Sequence, residues 1–201
     1  MRSWRNRHTR TFEGRVLNRV RVQVSSTAPL IRLKRDGFLF AVRLEVNAVE
    51  LLYGTPEHID AWMELVKLVS MNFPGLETRE ALEEHRETVL RFMKKRQAIC
   101  VKDESDIAGV MLFSRPHNMI CCLAVSPAFR RQGVASMLMD EALRRLDRTR
   151  KITVSTFRAE DEKGAAPRAL YLKYGFIPDV LTLEFGYPSQ QFVLHETSRG
   201  A

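Results

Sequence analysis

The residues from Leu123 to Ser136, reading LAVSPAFRRQGVAS, hold the pattern with the clearest chemical content in this sequence. An apolar run ends at Val125, Ser126-Pro127 breaks it, and a helix can begin at Gly133 followed by small residues. The first turn of a helix presents N–H groups without intrahelical acceptors and carries partial positive charge, so it is a natural anion site. Gly133 and Ala135 keep side chains away from the backbone, and Arg130 and Arg131 add charge at the mouth. The stretch is suited to a pyrophosphate, and the strand before it could pair with an extended ligand. It lacks the Gly-Lys-Ser/Thr ending of a Walker loop and the spacing of a G-x-G-x-x-G fingerprint. Taken alone, it is equally well an ordinary strand-to-helix turn.

Other reactive side chains are sparse. Cys100, Cys121 and Cys122 are odd in number and lack metal-ligand spacing. This argues against a disulfide scaffold or zinc module and for a reducing, cytoplasmic setting. Cys121 and Cys122 would face opposite sides of a flat strand, and packing is the expected role of both. No metal is expected.

The elements that must position these residues follow from punctuation and periodicity. Val49–Tyr53 reads as a short strand. Thr55-Pro56-Glu57 opens a helix to about Ser70, with Ile59, Trp62, Met63, Val66 and Val69 at helical spacing. Asn72-Phe73-Pro74-Gly75 ends it, and Thr78 caps a second helix to about Arg96. Residues 98–102 and 107–113 form a predicted antiparallel hairpin, followed by 119–125 (MICCLAV), whose continuous apolar character predicts a central strand. After the helix from Gly133 come a strand at 152–156, a helix ending at Tyr174-Gly175, and C-terminal strands from Phe176 and at 191–195. The order β-α-α-β-β-β-α-β-α-β-β implies one α/β domain with a mixed sheet. Trp62 and Met63 are expected in the core, and Phe73 and Tyr187 on loops.

The charge is unevenly placed. The 201 residues carry a net +8, but residues 1–43 hold 11 basic and two acidic side chains, and residues 44–201 are close to neutral. We divide the chain into a basic extension, 1–43, and a body, 44–201. The extension could be a poorly ordered tail, an upstream start, an added strand or docking arm, or a targeting or nucleic-acid segment. Its alternating stretches at 16–24 and 38–46 allow strands. Because the surplus lies outside the body, it does not make the body a nucleic-acid-binding protein. No apolar run approaches the ~18 residues of a membrane span.

Arg130-Arg131-Gln132-Gly133-Val134-Ala135 resembles the Q/R-x-x-G-x-G/A signature of the GNAT superfamily of N-acetyltransferases, with Arg130, Gly133 and Ala135 at the specified places. Leu123-x-Val125-x-Pro127 ahead of it agrees, and Leu170-Tyr171-x-Lys173-x-Gly175-Phe176 looks like the family's L/F-Y-x-K-x-G-F. The resemblance implies a GNAT-like domain from about residue 48 to 195. Its sheet would be mixed, mostly antiparallel and splayed between the fourth and fifth strands, with helices on both faces.

By resemblance, acetyl-CoA would lie in that splay, its pantetheine arm beside Leu123, Ala124 and Val125. Arg130, Arg131, Gln132, Gly133, Val134, Ala135 and Ser136 would hold the pyrophosphate. An N–H near Ala124 or Val125 would face the acetyl carbonyl, and Tyr171 would act as general acid toward the coenzyme sulfur. Two departures stand out. Residues 119–125 contain no carboxylate to serve as base, leaving His117 and Glu77 as loop candidates, and Gly164 stands where an Asn is common seven residues before the tyrosine. The implied activity is direct acetyl transfer to a primary amine, first a small molecule and otherwise a protein or peptide amine. The missing carboxylate also allows a coenzyme-binding module without activity. A homodimer is compatible with all three.

Overall fold

The computed structural model describes residues 31–35, 38–42, 49–104 and 106–196. Two strands precede the body. β1 (Ile31–Arg35) and β2 (Phe38–Val42) pair antiparallel as a two-stranded sheet, with Arg35 opposite Phe38. The second covers the described part of the expected alternating stretch at 38–46, of which residues 43–46 lie outside the described residues. The stretch at 16–24 lies outside the described residues.

The body follows the expected order of elements. β3 (Glu50–Tyr53) leads through a single 3-10 turn at Pro56–His58 into α1 (Ile59–Leu68). His58 Nδ1 accepts from the Thr55 N–H at 3.1 Å, closing the helix start around the proline. α2 (Arg79–Lys94) is capped by Thr78, whose Oγ1 accepts from the Ala81 N–H at 3.1 Å. β4 (Ala98–Lys102), β5 (Ile107–Ser114) and β6 (Met119–Val125) form a meander. α3 (Val134–Arg145), β7 (Ile152–Phe157) and α4 (Ala165–Lys173) come next, and the hairpin of β8 (Ile177–Glu184) and β9 (Tyr187–Leu194) closes the domain. Tyr187 therefore begins a strand instead of sitting on a loop. The hairpin turn is only Phe185-Gly186, both at positive φ, as a two-residue turn between twisted strands requires.

The large sheet has the order β3-β4-β5-β6-β7-β9-β8 and is antiparallel except where β6 meets β7. Side chains alternate between two cores. Ile99, Val101, Met111 and Phe113 face α3 and α4, whereas Ala98, Cys100, Val110 and Leu112 face α1 and α2. Every residue of β5 is buried, which makes it the strand covered most completely. β6 was expected to be covered as fully, yet it is only partly so because one of its edges is open.

That opening has a local cause. β6 pairs with β5 from Val125 back to Cys122, opposite Leu112, and then slips so that Ile120 stands opposite Phe113. Cys121 is the extra residue of a β-bulge, which bends its strand and increases its twist. On the other side, Met119 opposite Thr153 is the one β6–β7 register pair among the described residues, supported by a Thr153 N–H to Asn118 C=O bond of 3.2 Å. Past that pair the strands diverge, while β7 stays paired with β9 along its whole length. The sheet is thus splayed between its fourth and fifth strands, with α1 and α2 on one face and α3 and α4 on the other.

Candidate functional site

The splay leaves a notch whose first wall is the open edge of β6. The Ser126 N–H donates to the Ala108 C=O on β5 at 2.9 Å. Backbone groups along a strand alternate in direction, so the Ala124 N–H also points to β5, and those of Leu123 and Val125 point into the notch. Of the two positions expected to orient a donor there, the alternation favours Val125 over Ala124.

At the end of β6, a 3-10 turn at Pro127–Phe129 brings the chain to Arg130-Arg131-Gln132-Gly133. Gln132 Nε2 donates to the Ala128 carbonyl at 2.9 Å and holds this loop closed. Arg131 (φ 63°) and Gly133 (φ 85°) both adopt the left-handed conformation, which is uncommon for an arginine. Strain of this kind persists where the surroundings fix it, and it gathers at binding loops. The first rung of α3 runs from the Met137 N–H to the Gly133 C=O at 3.0 Å, so the N–H groups of Val134, Ala135 and Ser136 lie ahead of it. A Cβ on Gly133 would have no atom within 4 Å, so the space in front of these donors is open. Arg130, Arg131 and Gln132 are exposed around it.

Three contacts fix the start of α3. Val134 packs onto β5 where Gly109 lacks a side chain, and a Cβ there would lie 2.6 Å from Val134 Cγ1. The Tyr174 hydroxyl, at the end of α4, stands 2.8 Å from Asp140 Oδ1 and 3.1 Å from the Ser136 carbonyl oxygen. Sequence reasoning missed both links, although a glycine inside an otherwise apolar strand is a known sign of close approach.

Tyr171 lies on α4, only 4% exposed, with its ring tilted against Phe176 and Phe192 at 5.9 Å between centroids. Burial pushes its phenol above the usual range, and the neighbouring Cys122 and Glu184 push it further. It is therefore a protonated donor, never a phenolate, at neutral pH. Cys122 packs against the α1–α2 core, and burial raises its thiol to about 12. Cys121 departs from the expected packing role. The bulge leaves it exposed, with a thiol pushed up to about 11 by its surroundings. Both thiols are thus protonated and poor nucleophiles at neutral pH.

The structure places the candidate bases as follows. His117 is exposed in the β5–β6 turn, at the end where β6 and β7 are still paired. Glu77 is engaged locally, its Oε1 accepting the Gly75 N–H at 3.1 Å. Neither has an interaction with Tyr171 among the described residues. A carboxylate that sequence reasoning overlooked is placed differently. Glu184, the last residue of β8, is half-buried and close enough to raise both the Tyr171 phenol and the Cys121 thiol. Beyond it, Phe185 stands against the α1–α2 loop, where a Cβ on Gly75 would come within 2.9 Å of Phe185 Cβ and Cγ. The β8–β9 tip and that loop, which carries half-buried Phe73, therefore meet over the notch.

Gly164 ends a 3-10 turn just before α4. A Cβ there would lie 3.0 Å from both Phe157 Cβ and its carbonyl oxygen, so this turn has no room for an asparagine. Tyr187, on β9, donates to Asp161 Oδ2 at 2.7 Å and packs edge-on against Phe157 at 5.3 Å, which braces the hairpin on the end of β7. Trp62 and Met63 are in the core, as expected. Among the described residues no group of three or more His, Cys, Asp or Glu could hold a metal ion, and no helix is long and apolar enough to cross a membrane.

With this geometry in place, comparison with known proteins gives a consistent result. Residues 94–178, from the end of α2 into β8, match the family described as Acetyltransferase (GNAT) domain. No curated protein matches the chain in sequence. Among solved structures, a GNAT-family acetyltransferase from Bacillus cereus ATCC 10987 is 20% identical, with a TM-score of 0.57 over 74% of this chain and 98% of that one. Ard1 from Thermoplasma volcanium is 16% identical, with a TM-score of 0.57 over 75% and 99%. PaiA N-acetyltransferase from Thermoplasma acidophilum, solved in complex with coenzyme A, is 13% identical, with a TM-score of 0.53 over 71% and 97%. These likenesses concern the fold.

Proposed function

We propose that this chain, whose residues 94–178 match an acetyltransferase domain of the GNAT family, transfers the acetyl group of acetyl-CoA directly to a small primary amine. The observation that carries the reading is the notch itself. Three features support it: the unpaired edge of β6, the free N–H groups at the start of α3, and the buried, protonated Tyr171 on α4.

The open edge of Leu123–Val125 takes the extended pantetheine arm. The N–H groups of 131–136 take the pyrophosphate, with Arg130 and Arg131 beside it. Attack of a neutral amine on the acetyl carbonyl creates an oxyanion, and the fixed N–H of Val125 faces the place where it forms. As the carbon–sulfur bond breaks, the Tyr171 hydroxyl donates a hydrogen bond to the departing thiolate. An ordinary phenol titrates near 10 and an ordinary thiol near 8.5, and the burial of Tyr171 widens that gap. The contribution is therefore a hydrogen bond that strengthens as the thiolate leaves. No covalent acyl-enzyme is required, which suits cysteines that are protonated at neutral pH. The meeting of Phe185 with the Gly75 loop favours a compact acceptor over a long peptide.

The test is thiol release from acetyl-CoA by the full chain in the presence of spermidine, tyramine, or a tetrapeptide with a free N-terminus. We expect turnover with at least one of the two small amines and less with the peptide. Tight acetyl-CoA binding without turnover across a broader amine panel would instead favour a coenzyme-binding module.

A further inference from the structure

We propose that Glu184 is the proton acceptor of this site, taking the proton of the incoming ammonium directly or through one water. This rests on the acetyl-transfer reading above and supplies the base that β6 lacks. Glu184 ends β8 and stands opposite Tyr187 at the two-residue turn. Along β8 the outward positions Leu181 and Leu183 are strongly exposed, at 61% and 70%, whereas Thr182 and Glu184 are half-buried. These two side chains therefore share the inward face. The tip that carries Glu184 is held at two points. Tyr187 is bonded to Asp161 and packed on Phe157, and Phe185 rests against the Gly75 loop. That bracing turns the inward face of the tip toward the notch and brings the carboxylate beside both Tyr171 on α4 and Cys121 at the bulge. No ion pair or hydrogen bond takes up the Glu184 carboxylate among the described residues.

The ammonium gives one proton to the Glu184 carboxylate, and the freed nitrogen lone pair forms the N–C bond to the acetyl carbonyl. Collapse of the adduct breaks the C–S bond. The second nitrogen proton ends on the thiolate, which the Tyr171 hydroxyl hydrogen-bonds meanwhile, and Glu184 returns its own proton to solvent. Tyr171 on α4 and Cys121 on β6 are the titratable groups that feel the Glu184 charge; the neighbouring charged residues of the packed elements are Arg158 and Asp161 after β7, and Glu77 on the α1–α2 loop. Arg158 already donates to the Thr182 and Ser189 carbonyls at 3.3 Å, so it braces β8 and β9.

Two measurements on the full chain test the proposal. With the better of spermidine and tyramine as probe, Glu184→Gln should lower kcat/KM about a hundredfold and remove the acidic limb of its pH profile. Coenzyme A affinity should stay unchanged, and Glu184→Asp should recover part of the rate. A rate within threefold of the native chain at every pH would overturn the proposal. The second needs no acceptor. Removing the carboxylate should speed alkylation of Cys121 by iodoacetamide at pH 8.5 about threefold, because the thiolate forms more readily without a negative neighbour. An unchanged rate, with Cys121 identified by peptide mapping, would show that Glu184 does not face the site. If the native chain acetylates neither probe, the transfer reading fails, and the alkylation rate still decides where Glu184 lies.

Discussion

Gly133 combines two demands at a single residue, a left-handed backbone and open space before three free N–H groups. Gly133→Val meets neither. The strain costs roughly 1–2 kcal/mol, and the side chain projects where phosphate oxygens would lie. We expect coenzyme A affinity to fall at least about a hundredfold, roughly 2.7 kcal/mol, by calorimetric titration, while the folded chain survives. Unchanged affinity would remove the phosphate role from this loop. Tyr171→Phe is the complementary case. It deletes one hydroxyl from a packed ring and should lower turnover about a hundredfold with coenzyme affinity intact. Because burial holds the phenol above its ordinary range, no limb of the native pH profile below about pH 10 should belong to Tyr171. Such a limb, lost in the Phe variant, would contradict that assignment. Gly133 and Tyr171 could be proposed from the sequence because each sits in a short motif that resembles one of the family's. Glu184 could not, since its place depends on how a hairpin eighteen strand and turn residues long curls back over the sheet, and no local pattern records that.

The decisive element-scale feature is a strand that leaves its neighbour. β6 was readable as an apolar strand and its divergence from β7 was expected only through family resemblance, whereas the bulge at Cys121 was not foreseen, because a bulge is a matter of register between strands. The same limit explains why Cys121 was expected to be packed. α3 shows how elements hold the site at a distance. Its first turn rests on Gly109 and is tied to Tyr174. Gly109→Ala puts a methyl group 2.6 Å from Val134 Cγ1 in a strand with no room to yield. We expect a loss of about 1–3 kcal/mol in urea unfolding, together with weaker coenzyme A binding. Full stability with native affinity would show that Gly109 does not set the helix start.

For the whole molecule, the order of elements was legible from Val49 onward because capping residues and apolar periodicity agree at each boundary. The division of charge leads to the prediction proper to this scale. Residues 1–43 carry +9 and residues 44–201 carry −1, and every group assigned to the notch lies in the second part. A chain starting at residue 44 should keep coenzyme A affinity within about twofold of the full chain by titration, since the truncation removes none of the groups assigned to the notch. A folded but non-binding truncation would place part of the site in the basic segment. The central claim is direct transfer to an amine. Its most direct test is incubation of the full chain with isotope-labelled acetyl-CoA, first alone and then with spermidine or tyramine, followed by mass measurement of protein and amine. We expect the label on the amine nitrogen and an unlabelled protein in both arms, whereas label held covalently on a cysteine, or released only as free acetate, would contradict direct transfer.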